Sequence, residues 1–239
     1  MEGIMKKIIS SILMATICAF CIFAGDVAEY HDLGFSKDGE FFVFAEYGVN
    51  DKTFDPYAKI YTVDVKKNEF VKGGVFKSEL KDTKEVKGGK AVFDELYAKN
   101  KSFIDEHSGY KADLEHTLYL RGPESKNSTE QIIFKDFNNS KEGNEIFYHI
   151  NLVKNTKGTG KDLKSSFFIT VERKNEADEV LSRQIAGNPD FLRSEIADYA
   201  IRRIITDESG KYLVFEIEKK IENENGISFR YMVETLVLK

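Results

Sequence analysis

Two histidines, His31 and His116, fall on strand-like stretches where each shares a face with apolar residues: His31 with Leu33 and Phe35, His116 with Leu114, Leu118 and Leu120. Two imidazoles meeting across such faces would bind a metal ion, with Asp32 or Glu115 assisting. The plainer reading is two hydrogen-bonded core histidines, because no close ligand spacing surrounds either. His149 and His107 read as surface groups. Carboxylates pair at period-two spacing, Asp113 with Glu115 and Glu216 with Glu218. An acid-rich chain makes such pairs on solvated faces, whereas a glycosidase needs two acids at a set separation, one kept protonated. Gly158-Thr159-Gly160-Lys161 resembles the end of a phosphate loop, but Asn155 and Asp162 replace its first glycine and its hydroxyl residue. Asp136-Phe137-Asn138-Asn139-Ser140 alternates oxygen ligands, yet Lys141 stands where a calcium loop needs glycine, so it reads as a hairpin turn. There is no Gly-x-Ser-x-Gly elbow. No catalytic residue is assigned, and no motif implies a cofactor.

The remaining chemistry is aromatic. Tyr47, Phe54, Tyr57 and Tyr61 gather around the loop at 48–57. Exposed rings on a long loop held by a rigid sheet would contact a peptide or a glycan. Alternatively, the rings cap the sheet end and close the core.

The elements that must hold these residues are mostly strands. Aromatic and β-branched runs broken by Gly, Asn and Asp recur along the chain, and only three prolines interrupt it. The runs at 29–35, 41–47, 58–65, 70–76, 114–120, 131–137, 145–153, 167–172, 180–186, 199–205, 211–219 and 228–238 are the strand candidates. Residues 41–47 are apolar on both faces, as in a central strand. Val92, Phe93, Leu96, Tyr97, Phe103 and Ile104 follow the helical period, which predicts a helix over 90–106 after Gly88-Gly89. Residues 191–198 read as a short helix or an irregular turn. The expected fold is mainly β, with antiparallel sheets in a propeller-like or two-layered arrangement and one main α-helix.

Part of the chain repeats. Leu33-Gly34-Phe35-Ser36-Lys37-Asp38-Gly39-Glu40-Phe41 aligns with Ile204-Ile205-Thr206-Asp207-Glu208-Ser209-Gly210-Lys211-Tyr212, and Tyr61-Thr62-Val63-Asp64 with Tyr231-Met232-Val233-Glu234. Related modules at 29–65 and 199–238 are expected within one β-rich domain spanning 25–239.

Residues 1–24 have the form of a secretory leader: Lys6 and Lys7, an uncharged apolar run, then Ala24-Gly25. The run is shorter than a comfortable membrane span and no second one follows, so no span is expected in the mature chain. Both cysteines, Cys18 and Cys21, lie in the leader, where one of them would carry the lipid of a lipid-anchored form. Cleavage after Ala24 leaves 215 of the 239 residues without a cysteine. It removes Glu2, Lys6 and Lys7 and so takes the net charge from −5 to −6. An acidic chain with no basic block has no electrostatic footprint for nucleic acid.

Gly34-Phe35-Ser36-Lys37-Asp38-Gly39, with Phe44 and Ile60-Tyr61-Thr62-Val63-Asp64, resembles a blade motif of TolB-type β-propellers, with Lys37 in place of that motif's proline. A longer resemblance is to an uncharacterised family of predicted secreted bacterial proteins, a domain of unknown function. It is carried by Asp32 to Gly39, Glu46-Tyr47-Gly48-Val49, Pro56-Tyr57-Ala58, Asp64-Val65, Asn68, Phe70, Val71, Ser165 to Ile169, Gly187-Asn188-Pro189, Arg193 and Tyr199. That resemblance implies export and a shared fold, with no activity attached. The expectation is a secreted or periplasmic envelope protein that binds another protein or an envelope polymer. The alternative is a hydrolase acting on cell-wall glycan or peptide.

Overall fold

The computed structural model describes residues 26–80, 88–122, 131–137, 139–223 and 226–239. Residues 1–24, expected to be a leader and containing Cys18 and Cys21, lie outside the described residues, as does Asn138. Along the chain, β1 (Asp26–Val27) precedes a meander of β2 (Glu29–Phe35), β3 (Phe41–Val49), β4 (Pro56–Asp64) and β5 (Glu69–Glu79). Helix α1 (Gly89–His107) and β6 (Thr117–Leu120) follow. A second meander comprises β7 (Gln131–Lys135), β8 (Ile146–Lys157), β9 (Lys164–Asn175) and β10 (Val180–Gly187), with β11 (Arg193–Ser194) returning to pair with β9. The chain closes with β12 (Ile196–Thr206), β13 (Tyr212–Asn223) and β14 (Gly226–Val237).

These strands make three sheets in a stack. The last meander forms the central sheet, in the order β1-β14-β13-β12-β6, with β1 parallel to β14 and the other pairs antiparallel. On one side, Phe42, Phe44 and Val63 of the first meander pack against Ile205, Tyr212, Val214 and Val233. On the other, Ile150, Phe167 and Ile169 of the second meander pack against Ile201, Leu213, Phe215 and Ile217. Residues 212–217 of β13 are therefore buried on both faces. Alternate residues point to opposite sides of a strand, so a run without polar alternation needs cover twice.

Helix α1 covers the outer face of the first meander. Val92, Phe93, Leu96 and Ile104 lie on Val43, Ala45, Tyr47, Ala58 and Ile60. This explains why β3 carries apolar residues on both faces: Phe42 and Phe44 face the central sheet, Val43 and Ala45 face the helix, and all four are fully buried. The helix starts at Gly89 because of a close approach. A Cβ there would lie 2.4 Å from the backbone oxygen of Gly48, so only glycine lets α1 reach the end of β3.

The two matched hairpins turn by the same hydrogen bonds. Gly39 N–H donates to Ser36 C=O and Gly210 N–H to Asp207 C=O, both at 2.9 Å, with φ of +71° and +68°. The side chains exchange roles. Ser36 Oγ donates to Asp38 and accepts from Phe41 N–H, while in the other turn Ser209 Oγ donates to Asp207, which accepts from Tyr212 N–H. The third strands are out of step by three residues: Tyr61 lies opposite Phe44, whereas Glu234 rather than Tyr231 lies opposite Phe215.

Two expected elements differ. Residues 114–116 are not strand, because the Asp113 carboxylate accepts His116 N–H at 3.0 Å and its carbonyl accepts the Thr117 hydroxyl, folding a local turn. Residues 191–198 hold no helix: β11 and β12 are separated by Glu195, whose φ of +63° breaks the strand.

Candidate functional site

The structure disperses the residues nominated from sequence. His31 faces α1, its ring 5.0 Å from that of Phe93, and burial with Lys111 and Lys90 nearby lowers its pKa. His116 sits in the turn before β6, its Nδ1 2.7 Å from Asp113, rather than on an apolar strand face. Among the described residues no three His, Cys, Asp or Glu side chains gather closely enough to hold a metal ion. The acidic hairpin is a turn, as read: Asp136 accepts Asn139 N–H and its side-chain amide and pairs with Arg173 at 3.1 Å.

Of the four clustered aromatics, Tyr47 and Tyr57 are buried and Tyr61 is half-buried. Tyr47 stacks on Phe93 under the helix and donates to Glu29, and burial together with that carboxylate pushes its hydroxyl up to about 12. Tyr57 and Tyr61 point to the opposite face, toward the central sheet. Tyr57 donates to Asp26 at 3.0 Å beneath the Arg230 guanidinium, and Tyr61 donates to Glu46 at 3.1 Å while stacking on Phe44. Glu46, 1% exposed, also accepts Tyr231 N–H at 2.9 Å, which caps the stretch of β14 that β1 is too short to pair.

These groups belong to a polar layer between the first and central sheets. Asp32 pairs with Arg203 at 2.9 Å, Arg121 with Glu218 at 2.9 Å, and Arg202 donates to the Tyr231 hydroxyl at 2.8 Å. Burial pushes Glu216 up to about 7; Asp32 and Glu218 add to this, and Arg202 and Arg203 oppose it. The folded state thus binds this proton more tightly than the unfolded chain. The stability it contributes is present at low pH and is lost as pH rises from about 4.5 to about 7. Glu216→Gln should flatten that part of the profile and stabilise the protein by about 1–2 kcal/mol near pH 8. Thermal melts across pH check this, and an unchanged slope in the variant would remove the assignment.

Phe54 alone of the four rings is presented to solvent, at 76% exposure. Its loop is built to hold it. Asn50 Oδ1 accepts the amides of Lys52 and Thr53 at 3.0 Å, Phe54 N–H donates to Asn50 C=O, and Asn50 N–H donates to Asp55 C=O. The result places Phe54 at φ +57°, a conformation costing a non-glycine residue roughly 1–2 kcal/mol.

In the same loop, Asn50, Lys52 and Thr53 face Ser228 and Arg230 of β14 and Glu195 across a hollow of about 290 Å³. A second hollow of about 460 Å³, bordered by Lys161, Leu163 and Glu222, shares Glu195 and Asn223 with the first. Glu195 is held by its own backbone: its N–H donates to Leu163 C=O at 3.0 Å and its C=O accepts Glu222 N–H at 2.9 Å. Glu195, which lines both hollows, is left-handed at φ +63°, and Phe54 directly follows the groove-lining residues 50–53. In the sequence the loop at 48–57 is marked by its aromatics. Glu195 and Arg230 carried no comparable signal.

A stack of three mostly antiparallel sheets, with one α-helix among the described residues and a mixed-charge groove at one end, defines a layered β protein. The chain belongs to the family described as predicted secreted protein (DUF2259), whose model matches residues 43–236. No curated protein matches the chain, and no solved structure does.

Proposed function

We propose that this is an exported, non-enzymatic envelope protein that binds a protein or a cell-envelope polymer through the groove at 50–54. In this reading residues 1–24 are its export leader, and the modules at 29–65 and 199–238 are related units of one scaffold. The observation that carries it is Phe54: a large ring kept in solvent, in a strained backbone conformation, by a loop whose other residues line the groove. Such strain persists only where the surroundings enforce it, and it clusters at ligand clamps. The groove supplies both signs of charge through Lys52 and Glu195, so it fits a polar, extended chain better than an apolar one. A hydrolase would need its titratable acid in a cleft. Glu216, the acid with a pKa near neutral, is enclosed between sheets and lines none of the clefts at either end of β13.

Site-specific photo-cross-linking tests this reading. A benzophenone side chain at position 54 in producing cells should capture an envelope component, and one at Leu114, which is also exposed, should not. Phe54→Ala should weaken binding to the captured component about tenfold with a melting temperature within a degree or so of the parent. Recovery of only uncrosslinked protein from position 54 would count against the proposal.

A further inference from the structure

We propose that the cleft at the other end of β13, between the central and outer sheets, binds a small alkylammonium group. Gly210 and Leu213 mark that end, as Ile221 and Asn223 mark the first. The cleft encloses about 210 Å³ and has an apolar floor of Leu118, Leu213, Leu238 and the Tyr148 ring.

Three of the side chains facing it present oxygens left without donors. Thr206 is 4% exposed, and its hydroxyl has no hydrogen-bond partner among the described residues. Its backbone is pinned by donation from its N–H to His116 C=O at 2.9 Å, so the side chain cannot leave the cleft wall. A buried hydroxyl without a partner is desolvated with nothing in return, a loss that a bound donor would recover. At the mouth stand Glu115 and Glu208, both exposed, with no partner for either carboxylate among the described residues.

Every other charged group facing the cleft is engaged. Asp207 accepts the amides of Ser209, Lys211 and Tyr212, and Asp136 is held by Arg173 and Asn139. Lys135 pairs with Glu145, and His116 with Asp113. What is missing is therefore a donor with positive charge. An ammonium offers three N–H donors and no acceptor, matching one hydroxyl and two carboxylates, and a short alkyl body matches the leucine floor. No three His, Cys, Asp or Glu side chains converge among the described residues, so the cleft lacks the usual ligand set for a bare metal ion.

Titration calorimetry with pentylamine at low ionic strength tests this, with 1-pentanol as the neutral comparator of equal length. One saturable site is expected, and pentanol should bind at least about tenfold more weakly. Thr206→Val and the pair Glu115→Gln with Glu208→Gln should each weaken pentylamine about tenfold, while Asp51→Asn at the far groove should leave it unchanged. The glutamates are exposed, so their replacement keeps the test intact even if Thr206→Val disturbs folding. Absence of saturable binding, equal binding of pentanol, or equal weakening by Asp51→Asn would each overturn the proposal.

Discussion

Arg203→Met is expected to destabilise the protein by about 3–5 kcal/mol, the cost of leaving one member of a buried ion pair unmatched. Arg203 reaches three acceptors from β12: Asp32 Oδ2 at 2.9 Å, Ala112 C=O at 3.2 Å and Thr117 Oγ1 at 3.4 Å. It thereby joins β2 to the central sheet and holds the chain that leads into β6. Asp32 has no reserve, because its second oxygen is already buried without a partner. Burial raises the pKa of Asp32, and Arg203 is the main group opposing that rise. Removing the guanidinium should raise it further. The variant should then recover stability as pH falls, because a carboxyl with a raised folded pKa contributes its stability below that pKa and loses it as pH rises. Adding Asp32→Leu should restore most of the loss at neutral pH, since an apolar pair avoids the uncompensated charge. Urea unfolding at two pH values measures all three quantities. A single variant within about 1 kcal/mol of the parent would show that the polar layer does not hold the two sheets together.

The second large effect is expected at Gly34→Ala, a loss of about 3 kcal/mol or more. Gly34 has φ of +100°, and a Cβ there would stand 2.0 Å from the carbonyl oxygen of Tyr110 and 2.6 Å from its carbon. Both are backbone atoms, so no rotamer relieves the clash. The approach exists because residues after α1 return to pair with the end of β2: Phe35 N–H donates to Tyr110 C=O at 2.7 Å, and Tyr110 N–H donates to Phe35 C=O at 3.1 Å. Gly143→Ala is the matched comparison, with φ of +75° and nothing within 4 Å of its Cβ. It carries the dihedral cost alone, about 1–2 kcal/mol. Equal losses at the two glycines, read from denaturant midpoints, would mean that the Tyr110 contact yields easily.

The candidate groove was half visible beforehand. Phe54 and its loop stood out because aromatics are conspicuous on a glycine- and aspartate-bounded turn. Tyr47, Tyr57 and Tyr61 looked equivalent to Phe54, and nothing local separates a ring that stacks under α1 from one that projects into water. Pairing decides it: Tyr47 lies opposite Ala58, on the helix side, and Tyr57 lies opposite Gly48, on the other. His116 was misplaced for a related reason. Leu114, Leu118 and Leu120 alternate like a strand, but the Asp113 side chain captures the backbone first and leaves Leu114 87% exposed.

The apolar period determined that the chain builds antiparallel strands and a helix after Gly88-Gly89 and that β3 must be covered on both faces, and the internal repeat marked Gly39 and Gly210 as equivalent positions. Those features depend on contacts a few residues apart, which a linear pattern records. Which layer covers which was settled only in three dimensions. The last meander lies between the two earlier ones, and this places Asp32 on Arg203 and Glu46 on the open edge of β14. It also sets the oxygens of Thr206, Glu115 and Glu208 around one cleft. Such partners lie far apart in the chain, and they meet through sheet register and stacking, quantities that no single strand encodes.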